Sequence, residues 1–229
     1  VPLARTRSPR HAGLGRPIHQ ALRRQILTGR FRPGDRLVEG ELARAYGVSK
    51  SPLREALKTL QHEGLVEAIP RRGYVVTPIT VKQVADLFDL RLILERETAI
   101  RAARSAAPGQ VEELRRLVGD PYVVGDVDSQ ARFLSQNKAF HLAVARLAGN
   151  QRLVVLLDRL LDDLERLFHL GLDVRDRAHA LVAEHVELVE AVAARDPDRA
   201  ARVVEAQIGN ARQMVLEGIL EGALSVQVG

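Results

Sequence analysis

Two short helical patterns, Glu39 to Tyr46 and about Lys50 to Glu63, are separated only by Gly47-Val48-Ser49. Neither segment is long enough to bury an apolar stripe alone, so each needs the other as a partner. A glycine in so short a connection supplies the left-handed backbone that lets the second helix cross the first steeply. Leu42 and Ala43 point inward from the first helix, and Val48 anchors the turn. Ser49 is expected to cap the second helix, whose inner side carries Leu53, Ala56, Leu57 and Leu60. The first turn of that helix leaves Lys50, Ser51 and Arg54 facing outward.

The flanking segments extend this helix-turn-helix into a winged helix over 17–78. Pro17 opens a helix whose face is Ile18, Leu22, Ile26 and Leu27, and Gly29 ends it. Arg32-Pro33-Gly34-Asp35 is a turn, followed by the short extended piece Arg36-Leu37-Val38. Gly64 stops the third helix. Leu65–Ile69 and Tyr74–Thr77 then read as two strands around Pro70-Arg71-Arg72-Gly73, a hairpin wing. Residues 1–16, rich in Arg, Pro and Gly, read as a flexible basic arm.

Charge sets this part apart from the remainder. Through Ile79 there are 15 Lys or Arg against 6 Asp or Glu, and from Thr80 onward 19 against 23. A basic first third on an acidic remainder is the footprint of a polyanion-binding module joined to something else. A recognition helix enters the major groove amino-terminus first. There Lys50 and Arg54 can donate to guanine O6 and N7, and Ser49 and Ser51 suit phosphate oxygens. Arg71 and Arg72, beside Gly73 at the wing tip, can reach the flanking minor groove. The plainer reading is a small α+β domain with a solvated basic face.

With no Cys among 229 residues, disulfide frameworks and Cys-based zinc, iron–sulfur and thiol chemistry are excluded. No run of about 18 uncharged apolar residues is present to span a membrane. The start carries no secretory pattern, and the expectation is a cytoplasmic protein. Aromatic residues at 3% and abundant Ala, Leu, Arg and Glu favour a mainly α chain. Residues 79–222 read as an antiparallel bundle of about six helices. Thr80 is placed to cap the first, which runs to about Ala106. The others fall near Val111–Val118, Gln130–Ala148, Gln151–Gly171, Arg175–Arg195 and Pro197–Leu220, with 119–129 a loop.

Polar residues interrupt the apolar faces of this bundle. Asn137 and His141 lie one turn apart on one face, His185 sits among Leu181, Val182, Leu188 and Val189, and Gln207 is flanked by Val203, Val204 and Ile208. Such residues serve either as a hydrogen-bonded polar core or as the lining of a ligand or metal cavity between helices. Arg91 can clamp a carboxylate or pair with Glu95 one turn on.

The stretch from Ile26 to Gly73 resembles the DNA-binding domain of GntR-family bacterial transcription regulators. The residues that carry the likeness are Leu27-Thr28-Gly29-Arg30-Phe31-Arg32-Pro33-Gly34-Asp35-Arg36-Leu37, Glu41-Leu42-Ala43 and Gly47-Val48-Ser49-Lys50-Ser51-Pro52-Leu53-Arg54-Glu55-Ala56-Leu57, then Glu63-Gly64-Leu65-Val66 and Arg72-Gly73-Tyr74-Val75-Val76. The resemblance implies operator binding by Ser49, Lys50, Ser51, Pro52 and Arg54 with the wing residues Arg71, Arg72 and Gly73. Gly40 stands where many members carry a DNA-facing polar residue, which removes one contact. Lys50 replaces the commoner Arg, a point charge in place of a planar fork.

Residues from Thr80 to about Gly209 resemble the FadR-type ligand-binding (FCD) domain. The marks are Leu87-Phe88-Asp89-Leu90-Arg91 with Glu95, Phe140-His141-Leu142-Ala143, Gly149-Asn150, Glu184-His185 and Asp196-Pro197-Asp198-Arg199-Ala200. Many members bind a divalent metal through one Asp and three His, and those positions correspond here to Asn137, His141, His185 and Gln207. Two of the four are replaced, so a Zn, Ni or Mn ion would rest on His141 and His185 with two weak amide ligands. The alternative is an effector gripped directly by Asn137, His141, His185, Gln207 and Arg91.

Together these features predict a sequence-specific transcription regulator, a repressor. It binds a double-stranded DNA operator as a homodimer and answers to a small carboxylate metabolite in its helical domain. The rivals are a metal-dependent enzyme on the bundle and a DNA-binding protein without an effector. The chain has no nucleophile motif and no Gly-rich phosphate loop to favour an enzyme.

Overall fold

The computed structural model describes residues 15–70, 72–172 and 176–226, and it divides into two compact units, one ending at Ile79 and the other beginning at Thr80. In the first unit the order is α1 (Gly15–Leu27), β1 (Arg36–Leu37), α2 (Glu39–Ala45), α3 (Lys50–His62), β2 (Val66–Ile69) and β3 (Gly73–Val76). Helix α1 begins two residues before Pro17, because a proline in the first turn lacks only an N–H that has no helical partner there. The expected arm 1–16 therefore loses Gly15 and Arg16 to α1, and residues 1–14 lie outside the described residues.

The three strands form an antiparallel sheet in the order β1-β3-β2, with Leu37 opposite Tyr74 and Ile69 opposite Gly73. The core beneath is built from Leu22 and Ile26 of α1, Leu53, Leu57 and Leu60 of α3, and Val76 of β3, all buried. Gly47 has φ +61, the left-handed turn expected between α2 and α3. Ser49 occupies the cap position of α3, but its side chain makes no capping hydrogen bond, contrary to expectation. Val48 helps close the turn instead, its N–H donating to the Ala43 carbonyl at 3.0 Å.

Six helices make the second unit among the described residues: α4 (Val81–Ser105), α5 (Pro108–Leu117), α6 (Val127–Leu147), α7 (Gln151–Leu172), α8 (Ala178–Ala193) and α9 (Pro197–Val226). Thr80 and Gln83 cap α4 reciprocally. The Gln83 N–H donates to Thr80 Oγ1 at 3.1 Å, and the Thr80 N–H donates to Gln83 Oε1 at 3.0 Å. Helix α6 starts three residues earlier than its apolar pattern suggests, because Asp126 Oδ1 accepts from the N–H groups of Asp128 and Ser129. Helix α8 begins later than expected, at Ala178, and α9 continues past Leu220 to Val226. Helix α4 packs against α6, α7, α8 and α9, which buries its Phe88, Leu94, Ala99 and Ala102 and also Arg91, Glu95 and Thr98. No described helix is long and apolar enough to cross a membrane.

Gly73 fixes the base of the wing. Its φ is +92, and a Cβ there would lie 2.8 Å from the Leu37 carbonyl oxygen on the neighbouring strand. Gly73→Ala is expected to destabilise the first unit by about 1–3 kcal/mol, read by urea denaturation, because both the backbone conformation and the strand contact are lost.

Candidate functional site

The first unit presents the outward face of α3. Lys50, Ser51 and Arg54 are exposed, as is Ser49 just before them. Arg54 is oriented from α2, its Nε donating to Glu39 Oε2 at 2.8 Å. That bond engages one edge of the guanidinium and leaves both terminal nitrogens for an acceptor such as guanine. Pro52 does not join this face. It is buried one turn before Ala56 on the inner side of α3, which corrects its place among the expected DNA contacts. Arg72 is exposed in the wing turn, Gly73 acts through the backbone, and Arg71 lies outside the described residues.

In the second unit the expected polar residues converge. Arg91, Asn137, His141, His185 and Gln207 line one cavity together with Glu184 and apolar side chains from α6, α7, α8 and α9. The cavity is narrow, about 20 Å³, room for a water-sized group. Its floor is a buried cluster on α4 and α6. Arg91 Nε donates to Glu95 Oε1 at 2.6 Å, and His141 Nδ1 lies 2.7 Å from Glu95 Oε2. Arg91 Nη2 donates to His141 Nε2 at 3.1 Å. The guanidinium also lies 5.3 Å from the Phe168 ring centre, within cation–π range.

Burial pushes the Glu95 carboxyl up, but Arg91 and His141 outweigh it and hold it down at about 2. Burial pushes His185 down to about 3, and the Phe140 ring stacks on it with centres 4.3 Å apart. His185 Nδ1 is buried without a partner. Arg91 Nη1 and Gln207 Oε1 are likewise buried with no partner, while Gln207 Nε2 donates to the Glu184 carbonyl. Glu184 Oε1 accepts from Arg177 Nη2 at 2.7 Å and from Asn210 Nδ2 at 2.8 Å.

This donor set does not fit a divalent cation. A guanidinium only donates, so His141 Nε2 must be the ring's lone-pair nitrogen, and Arg91 already occupies it. The other ring nitrogen is engaged by Glu95, so His141 has no lone pair for a metal, and a fixed positive charge sits 3.1 Å away. His185 Nδ1, Gln207 Oε1 and the Asn137 amide remain as neutral donors, and no group of three His, Asp or Glu is poised for a metal among the described residues. The four positions therefore do not fit the Zn, Ni or Mn ion that they suggested.

Sequence reasoning placed Glu95 only as a partner of Arg91 and missed its bond to His141. It also missed Glu39 behind Arg54 and Arg177 beside Glu184. The spacing of Arg91 and Glu95 carried a signal, and so did the seven-residue spacing of Arg177 and Glu184 at the start of α8, whereas Glu95–His141 and Glu39–Arg54 cross between helices.

The comparisons with known proteins agree with both units. The model of bacterial regulatory proteins of the gntR family matches residues 14–76, and the FCD domain model matches residues 86–210. The chain is similar to an HTH-type transcriptional regulator in an unstable DNA locus of Streptomyces ambofaciens, 34% identical over 77% of this chain and 74% of that protein. It is similar to the gluconate operon transcriptional repressor of Bacillus licheniformis, 26% identical over 82% and 79% of the two chains. The solved structure of McbR/YncC from E. coli shares the fold, with TM-score 0.65 and 20% identity over 90% of this chain and 98% of that one.

His185 makes stability depend on pH with a definite sign. Its folded value is depressed from 6.5 to about 3, so the unfolded chain binds more protons between those values and stability falls as pH drops. Glu95, depressed from 4.5 to about 2, adds to the loss only below about pH 4.5. Between pH 6.5 and 5 the His185 contribution is about 2 kcal/mol. Urea denaturation at the two pH values is expected to show that loss in the wild type and not in His185→Phe.

Proposed function

The chain belongs to the gntR family of bacterial transcription regulators with an FCD domain, and from that premise we propose that it is a homodimeric repressor released from its operator by a small carboxylate metabolite. The observation that carries this reading is the narrow cavity in which Arg91, His185 and Gln207 each keep one buried polar atom unpartnered. A bundle serving only to dimerise has no use for three such groups, since each costs roughly 1–3 kcal/mol when left unsatisfied. The metabolite's carboxylate meets Arg91 Nη1, the one buried guanidinium nitrogen without a partner among the described residues. Relatives that are transcriptional regulators speak against the enzyme alternative.

In this reading α3 enters the major groove with Lys50, Ser51 and Arg54 towards base edges and phosphates, and Arg72 follows the flanking groove. Ligand binding alters the bundle, and the change reaches the DNA-binding units of the dimer through the short connection near Pro78. An operator recovered by selection from random duplexes provides the test, read by fluorescence anisotropy. Arg54→Ala is expected to lose about 1–3 kcal/mol of discrimination, and Glu39→Gln to lose part of the same discrimination. Lys50→Ala is expected to weaken binding and lower the salt slope by about 1. Unchanged operator affinity in Arg54→Ala would overturn the groove assignment.

Helix α4 supports the dimer with Leu90 and Ile93, three residues apart and 46% and 66% exposed. Light scattering is expected to give twice the chain mass for the wild type and a shift towards single chains for Ile93→Glu.

A further inference from the structure

The unpartnered atoms around the cavity differ in kind, and the difference names a ligand. Arg91 Nη1 can only donate. Gln207 Oε1 can only accept, and His185 Nδ1 can accept in the tautomer that carries the proton on the other ring nitrogen. The charges around them already balance. Arg91 is paired with Glu95, Arg177 is paired with Glu184, and His141 lies between Glu95 and Arg91, its Nε2 accepting from the guanidinium. A simple carboxylate would answer Arg91 but leave an uncompensated negative charge in the bundle and both acceptors empty. One hydroxyl added to it would supply a single donor for two acceptors.

We propose that the cavity takes a small α-amino acid as its zwitterion, without a metal, the carboxylate on Arg91 Nη1 and the ammonium between His185 Nδ1 and Gln207 Oε1. The proposal rests on the effector reading above and narrows it. A zwitterion adds no net charge, and its ammonium has three N–H donors on one atom, enough for both acceptors. Phe133, Leu134, Phe168, Leu172, Leu181 and Ala211 make the apolar part of the wall, beside Asn137 and Glu184, and an apolar ligand side chain packs against that part. With only about 20 Å³ free, the ligand seats by displacing a side chain. Met214 is the movable one: it is unbranched and flexible, and it also lines an outer cavity of about 180 Å³ with Arg177, Asn210 and Glu217.

The test uses the full chain, stripped with chelator, by thermal shift and titration calorimetry. The probes are glycine, alanine, valine, leucine and methionine, each beside the matching α-hydroxy acid and unsubstituted acid. At least one amino acid is expected to raise the melting temperature and to bind at least about tenfold tighter than both of its matched acids. In Gln207→Leu, the preference for that amino acid over its hydroxy acid is expected to narrow at least fivefold. The unliganded melting temperature of the variant serves as the folding control. Equal or tighter binding of a hydroxy or unsubstituted acid would overturn the zwitterion while leaving a carboxylate effector in place. Binding that requires added zinc would overturn the metal-free site. No thermal shift and no change in operator affinity with any acid would overturn both this inference and the effector reading.

Discussion

A carboxylate with almost no exposure to water, Glu95, organises the second unit. It accepts from Arg91 on one oxygen and meets His141 on the other, and so joins α4 to α6 at the level of the cavity. Burying these groups is costly, and the cost is met only while all three stay together. Removing any one would strand a charge or a polar ring where water cannot reach. This explains why α4, enclosed by α6, α7, α8 and α9, carries an arginine and a glutamate on a side that would otherwise be apolar. It also fixes what the cavity can recognise. Glu95 and His141 hold the guanidinium by Nε and Nη2, so only Nη1 is left without a partner.

The DNA-facing unit uses the same device at the surface. Glu39 holds Arg54 by Nε and leaves the fork of terminal nitrogens free. Because Arg54 is more than half exposed, the pair contributes little to stability, and its value is geometric. A guanidinium already aimed loses less side-chain entropy when it meets a base edge. In both units an arginine is oriented by a glutamate through its Nε, and a terminal guanidinium nitrogen stays unengaged.

Much of this was legible along the sequence because it depends on local spacing. The Gly47 turn, the Thr80 start of α4 and the wing around Gly73 follow from backbone rules acting over a few residues. The convergence of Asn137, His141, His185 and Gln207 on one cavity follows from helical faces plus family resemblance. Other features depend on rotational phase or tertiary contact. Pro52 reads as the neighbour of Lys50, Ser51 and Arg54, yet its position one turn before Ala56 turns it into the core. His141 reads as a ligand because its type and face are right. Only the fold shows that Arg91, fifty residues earlier, takes the nitrogen a metal would need. The early start of α6 at Val127 was missed because Asp126 sits in a stretch without apolar periodicity.

The narrowness of the cavity and its unpartnered groups together bear on regulation. Opening a packed interior is unfavourable, since displaced side chains lose close contacts on every side. Closing it over three unsatisfied polar atoms is unfavourable as well. The ligand-free bundle therefore stands between two costs, and a ligand that satisfies all three atoms relieves the second while imposing the first. If displacing Met214 also shifts the helices packed around it, the ligand's binding free energy is tied to their arrangement. Linkage then requires reciprocity: if the rearranged bundle holds operator DNA less well, the DNA-bound protein holds the ligand less well by the same factor. A cavity with ample free space would accept its ligand without moving any helix and would have no such coupling to offer.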